Sequence, residues 1–194
     1  MRPSGRVVAD RRPLMVRLAR LRVPLGFLSG LLVLWLSRPS VGSVAWGAVV
    51  AAMGEGLRVW AAGHLNKARE VTTSGPYRWM AHPLYVGSSI MGVGLAIASN
   101  SLLVAALIVV YLAATLTAAI QSEEAFLRRT FGTDYDRYRR PAAGDAAAAG
   151  ANGASDRRRF SAAQALANHE PRAILGLLAA VLLLFLKATY NGSF

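Results

Sequence analysis

The chain has no cysteine, two lysines and ten acidic residues among its 194 positions. Without cysteine there is no disulfide framework, no Cys-based zinc site and no thiol catalysis. Charged residues make up 16% of the chain, against about 25% in an ordinary soluble domain, while 54% of the residues are hydrophobic. So little charge leaves too much apolar surface for water, and a lipid bilayer is the environment that suits it. The few acids stand against 22 basic residues, for a net charge of +12. Nucleic-acid binding would require lysine-rich faces and a generally polar surface, which are missing, so no nucleic-acid partner is expected. Arginine dominates the basic set and Ala and Gly are abundant, which points to a GC-rich microbial coding sequence and to a microbial inner (plasma) membrane.

The charges that are present fall in blocks. From Trp79 to Ser122 there is no Asp, Glu, Lys or Arg, a stretch well beyond the roughly 20 residues that one membrane helix needs. The polar cluster Ala98-Ser99-Asn100-Ser101 divides it into spans of about 83–99 and 101–120, joined as a tight hairpin. Upstream, an apolar stretch over 23–37 stops at Arg38-Pro39-Ser40, and a second span covers 41–65, interrupted only by Glu55 and Arg58. Those two residues are spaced i,i+3 and can neutralise each other. The run Ala173 to Leu186 is short for a span, and snorkelling by Lys187 with an interfacial Tyr190 would extend it. The expected fold is therefore an all-α polytopic membrane bundle of about five spans. A cytoplasmic N-terminus puts 19 of the 22 basic residues inside and only Arg38 and Lys187 outside, with Arg58 in a span. Residues 1–22 form a basic N-terminal segment with an interfacial helix over 13–23. A core follows over 23–140, then an Ala/Gly linker over 141–155. Residues 156–194 supply a basic anchor in which Ser161 caps a short helix running to about His169, before Pro171. A cleaved signal peptide does not fit the long charged leader.

Two constellations carry chemistry. In the first, Ser74-Gly75-Pro76-Tyr77-Arg78 is followed by His82-Pro83-Leu84-Tyr85-Val86-Gly87. Pro83 at a first helical position leaves His82 and the free amides of the helix start at the cytoplasmic face, where an anionic group is well received. Taken structurally, the same residues read as an aromatic belt of Tyr77, Trp79 and Tyr85 with His82 as a cap. The second constellation is Glu123-Glu124, Leu127, Phe131-Gly132, Tyr135 and Tyr138. Adjacent acids at a membrane exit need a partner, which is either a cationic ligand or the neighbouring Arg128 and Arg129. Gly87, Gly92 and Gly94 lack Rossmann or P-loop spacing and fit close helix packing. The three histidines lack metal-ligand spacing, so no metal site is expected.

Taken in order, the two constellations resemble the isoprenylcysteine carboxyl methyltransferase and phospholipid methyltransferase superfamily, over roughly Glu55 to Arg140. That resemblance implies an S-adenosylmethionine site without a Rossmann domain, where the third and fourth spans meet the cytoplasm. By position it implies Glu70, Val71, Thr72, Tyr77, His82, Pro83, Leu84 and Tyr85 along the cofactor, with Glu123 at its polar end. It singles out no catalytic side chain. The implied reaction is in-line transfer of the sulfonium methyl to a lipophilic acceptor that arrives from the bilayer. The acceptor is an isoprenoid or prenylcysteine-like carboxylate, the favoured class, or a lipid headgroup. A carboxylate acceptor needs no base; an amine needs one, and Glu124 and His82 are the candidates. Ala81 stands where the family commonly has Arg, leaving Arg78 as the substitute cation. Ala119 stands where prenylcysteine enzymes tend to have Arg, which argues against that acceptor. Membrane sterol and steroid reductases share the His-Pro-x-Tyr turn and use NADPH, but the Glu123-Glu124 block suits phosphates poorly. A non-catalytic membrane protein is the remaining alternative.

Overall fold

The structure is a computed structural model that describes residues 30–66, 72–133, 135 and 159–190. The chain divides into two compact units, residues 1–36 and 37–194. In the first, residues 30–36 are helical. The helix gives way before Arg38-Pro39, as expected for the residues around a proline. The rest of that span and the interfacial helix over 13–23 lie outside the described residues.

In the second unit the described residues are helical, with no strand among them. Helix α1 covers Val41–His64, a 3-10 turn covers Gly75–Arg78, α2 covers Pro83–Ser99, α3 covers Leu102–Phe131, α4 covers Ala162–Ala167 and α5 covers Glu170–Tyr190. Local chemistry sets these limits. Ser40, directly after Pro39, caps α1 reciprocally with Ser43: the Ser43 amide donates to Ser40 Oγ at 3.1 Å and the Ser40 amide to Ser43 Oγ at 2.9 Å. The expected break between α2 and α3 is a two-residue turn. Asn100 ends α2 in the left-handed region (φ 47°), which Asn tolerates, and the Ser101 hydroxyl caps α3 by accepting from the Val104 amide. The Arg38 amide donates to the Ser99 carbonyl at 2.8 Å and Asn100 Nδ2 to the Arg38 carbonyl at 3.1 Å, tying this turn to the start of α1.

Two expectations need correcting at the C-terminal end. The apolar run over 173–186 belongs to a longer helix of 21 residues that begins at Glu170, because Pro171 falls in its first turn, where a missing amide costs nothing. Ser161 does cap a short helix, but that helix ends at Ala167, and His169 at φ 65° separates it from α5. Lys187 does not merely snorkel: its Nζ donates to the Ser37 carbonyl at 2.8 Å.

Helices α1 and α2 form the closest pair in the unit, and small residues make that possible. A Cβ at Gly47 would lie 2.5 Å from the Gly94 carbonyl oxygen, and one at Gly54 would lie 2.6 Å from that of Gly87. Backbone meets backbone along this seam, as the glycine pattern of α2 suggests. Gly94→Val therefore forces the helices apart and costs about 3 kcal/mol, the upper end for overpacking. Gly56→Ala, where an added methyl meets nothing within 4 Å, is neutral or stabilising by up to about 1 kcal/mol. Thermal unfolding in detergent, followed by tryptophan fluorescence, separates the two variants.

Helices α3 and α5 are each long and apolar enough to cross a membrane. Only 6% of the apolar window of α3 and 11% of that of α5 are buried inside the protein. A core helix of a soluble domain hides its apolar side chains, so these faces call for lipid. Trp46 near one end of α1 and Trp79 beside its other end are both 72% exposed, and Trp79 lies against Trp60 with ring centroids 5.7 Å apart.

A buried polar cluster joins three helices inside this apolar frame. Glu55 and Arg58 form the expected pair, with Nε 3.3 Å from Oε2. The same guanidinium also donates through Nη2 to both oxygens of Glu170 at 3.1 Å and through Nη1 to the Ser88 hydroxyl. One arginine thus serves two carboxylates that are 6% and 4% exposed. Nothing in the sequence announces Glu170 as the third member, since it lies 112 positions from Arg58.

Candidate functional site at the start of α2

The site forms where α2 begins and α3 ends. Pro83 is fully buried at the first helical position and fixes the entry of α2, leaving His82 as the residue before the helix. His82 occupies the N-cap position, as the structural reading of it has it, but its side chain makes no cap hydrogen bond. Its ring turns instead towards α3, which continues unbroken past the expected end of the fourth span at 120. Glu123 and Glu124 are therefore residues of that helix. Nε2 of His82 donates to Glu124 Oε1 at 3.2 Å, and Nδ1 lies 4.0 Å from Glu123 Oε2. Two adjacent carboxylates thus address the two nitrogens of one imidazole. A carboxylate can only accept, which fixes the hydrogen on Nε2. Arg128, one turn further along α3, lies 3.9 Å from Glu124.

Tyr85 completes the group. Its ring centroid is 5.7 Å from that of His82, and its hydroxyl faces the Glu123 carboxylate. Glu124 is 18% exposed and His82 13%, whereas Glu123 is 37% exposed. Glu123 is thus the open acid of the pair. An open carboxylate at the mouth of the site suits the cationic end of a ligand. Leu84 lies within the first turn of α2, and its carbonyl accepts from the Ser88 hydroxyl at 2.9 Å.

Other expected residues sit in the loop behind this group. Thr72 is buried, and its hydroxyl accepts from the Asn66 amide at 3.4 Å. Tyr77 is buried in the 3-10 turn, which packs on α1. Arg78 at the end of that turn is exposed. Glu70, Val71 and Tyr138 lie outside the described residues. The structure thus brings together His82, Tyr85, Glu123 and Glu124 and places Thr72 and Tyr77 in the supporting loop. The pairing of His82 with Glu124 could not be read from the sequence, because it depends on how far α3 continues. Among the described residues no group of acids and histidines could hold a metal ion.

A helical hairpin with exposed apolar faces thus carries this histidine and carboxylate arrangement at one end. Residues 40–134 match the model of the phospholipid methyltransferase family. That family falls in the methyltransferase superfamily that the two sequence constellations resemble. A stretch of 108 residues is 33% identical to the nickel-cobalt-cadmium resistance protein NccN of Alcaligenes xylosoxydans xylosoxydans, covering 55% of this chain and 49% of that protein. The chain therefore spans about half the length of this relative. No solved structure matches the chain.

Proposed function

We propose that the protein is a multi-pass membrane methyltransferase that uses S-adenosylmethionine and acts on a lipophilic acceptor reaching the site from the bilayer. The observation that carries this reading is the open carboxylate of Glu123 beside the His82–Glu124 pair at the start of α2, within a phospholipid methyltransferase domain. In the topology proposed here this end of α2 faces the cytoplasm, in keeping with the basic loops on that side.

S-adenosylmethionine supplies an electrophilic methyl group on a positively charged sulfur. Glu123 holds its cationic polar end, and Tyr85 orients that carboxylate through its hydroxyl. Thr72, Tyr77 and the turn from His82 to Tyr85 line the remainder, with Glu70 and Val71 assigned by resemblance. The residues present fit such a ligand: the open carboxylate of Glu123 favours a cation, and buried Tyr77 and half-buried Tyr85 offer apolar faces.

The acceptor decides what His82 does. With Nε2–H committed to Glu124, the proton-accepting position of a neutral His82 is Nδ1. An amine acceptor gives up its proton there, and the resulting imidazolium is stabilised by both carboxylates; hydrogen bonds to charged groups contribute about 1.5–3 kcal/mol each. A carboxylate acceptor needs no such transfer, and His82 then serves only to fix Glu124. Carboxyl methylation of an isoprenoid acid remains the favoured chemistry, and a lipid headgroup amine is the alternative.

The His-Pro-x-Tyr turn alone is also compatible with NADPH. Calorimetric titration of the detergent-solubilised protein with each cofactor separates the readings. S-adenosylmethionine binds and NADPH does not; binding of NADPH alone transfers the protein to the reductase class, and binding of neither makes it non-catalytic.

A further inference from the structure

The family match ends at residue 134, yet the chain returns at residue 159 to the loop that leads into the site. The Ser161 amide donates to the Gly63 carbonyl at 3.1 Å. Asn168 Nδ2 donates to the carbonyls of Ala62 at 2.8 Å and Leu65 at 3.0 Å. These carbonyls belong to the end of α1, where helices have no intrahelical donors left. Asn168 thus caps α1 from more than a hundred residues away in sequence.

A stack of rings and backbone continues from this cap. The Phe160 ring lies directly against Gly63, where a Cβ would collide with it, and its centroid is 6.1 Å from that of His64. The buried His64 ring is fixed by its Nδ1–H, which donates to the Trp60 carbonyl at 3.0 Å. Against that ring lies Gly75: a Cβ there would sit 2.7 Å from His64 Cγ and Nδ1. Gly75 has φ 58° and opens the 3-10 turn that carries Tyr77 and leads to His82. The order of contact is Phe160, His64, Gly75, and then the turn.

We infer that residues 159–168 are a positioning element for the cofactor loop, with Phe160 and Asn168 holding His64 against Gly75 and thereby setting the place of Tyr77. The assignment of the loop to a cofactor rests on the function proposed above; the positioning itself does not. Neither Phe160 nor Asn168 touches the group formed by His82, Tyr85, Glu123 and Glu124, so their effect on it is transmitted through the loop.

Hydrogen exchange on the full chain in detergent micelles tests the inference without any cofactor. The Tyr77 amide donates to the Ser74 carbonyl, and the Trp79 and Met80 amides donate to the Pro76 carbonyl. The Asn100 amide, bonded to the Ile97 carbonyl at the far end of α2, is an internal reference. Phe160→Ala and Asn168→Ala each accelerate exchange at the three loop amides about tenfold relative to Asn100. Phe160→Tyr, which keeps the ring, leaves the wild-type rates. Unchanged loop rates in both alanine variants overturn the inference, and so does equal acceleration at Asn100, the sign of general loosening. In a parallel titration the alanine variants weaken S-adenosylmethionine binding about tenfold, equivalent to 1.4 kcal/mol. If the wild-type chain binds no S-adenosylmethionine, the proposed function falls while the exchange rates still decide the positioning role.

Discussion

Glu123→Ala weakens S-adenosylmethionine binding, measured by calorimetry in detergent, by roughly thirtyfold or more. Glu123 is the open member of the carboxylate pair, and Tyr85 and His82 flank it. Removing one partner of a charge pair at a partly desolvated site costs about 2–5 kcal/mol, which sets that factor. Glu123→Gln keeps the shape and loses the charge, so its affinity falls between the two. Glu124→Ala behaves differently, because Glu124 acts on His82. Cofactor affinity changes less, while turnover of an amine acceptor falls by about 10²-fold or more, the usual contribution of a positioned base. An unchanged dissociation constant for Glu123→Ala removes the cofactor assignment.

The second large effect concerns the buried cluster. Arg58→Ala leaves Glu55 and Glu170 side by side with no cation, both buried between helices. Breaking a buried ion pair from one side costs about 3–5 kcal/mol. Two stranded carboxylates put this variant at the upper end, so it fails to accumulate in the membrane or unfolds far below the wild-type midpoint. The cluster also joins α5 to α1 and α2, so Arg58→Ala leaves Asn168 as the hydrogen-bonded tie between that end of α5 and α1. Arg58→Met combined with Glu55→Gln and Glu170→Gln removes all three charges at similar volume and restores most of the stability. Equal stability of Arg58→Ala and the wild type, by thermal unfolding in the same detergent, contradicts this view of the cluster.

Much of the architecture was legible because it rests on local chemistry. Pro39 and Ser40 mark a helix boundary, Asn100 and Ser101 mark a two-residue turn, and Pro83 marks a helix start, each by a rule that acts over a few residues. Of the glycines whose spacing suggests close packing, Gly87 and Gly94 lie in the seam with α1 and Gly92 faces Leu112 of α3, whereas Gly47 and Gly54 on the α1 side were not legible. The pair of Glu55 and Arg58 is one helical turn apart and follows from periodicity. What was not legible depends on distance in the chain. Glu170 joins Arg58, and Asn168 caps α1, only because the C-terminal segment folds back across the end of α1, and no local pattern encodes that return. The apolar run starts later than α5 because Pro171 reads as a breaker between segments, yet a proline in the first turn breaks nothing. At the site, the motif residues were identified through resemblance. The pairing of Glu124 with Nε2 of His82 depends on α3 continuing through Gln121 and Ser122 without interruption.

The methyl acceptor lies at the centre of the account. Purified protein is incubated with native membrane lipids and methyl-labelled S-adenosylmethionine, and the lipid-extractable products are identified. A labelled methyl ester, or a labelled methylamine if the acceptor is a headgroup, forms with the wild type and is absent with Glu123→Ala. A folded wild-type protein that leaves the lipid fraction unlabelled, or label that persists undiminished with Glu123→Ala, contradicts the methyltransferase assignment.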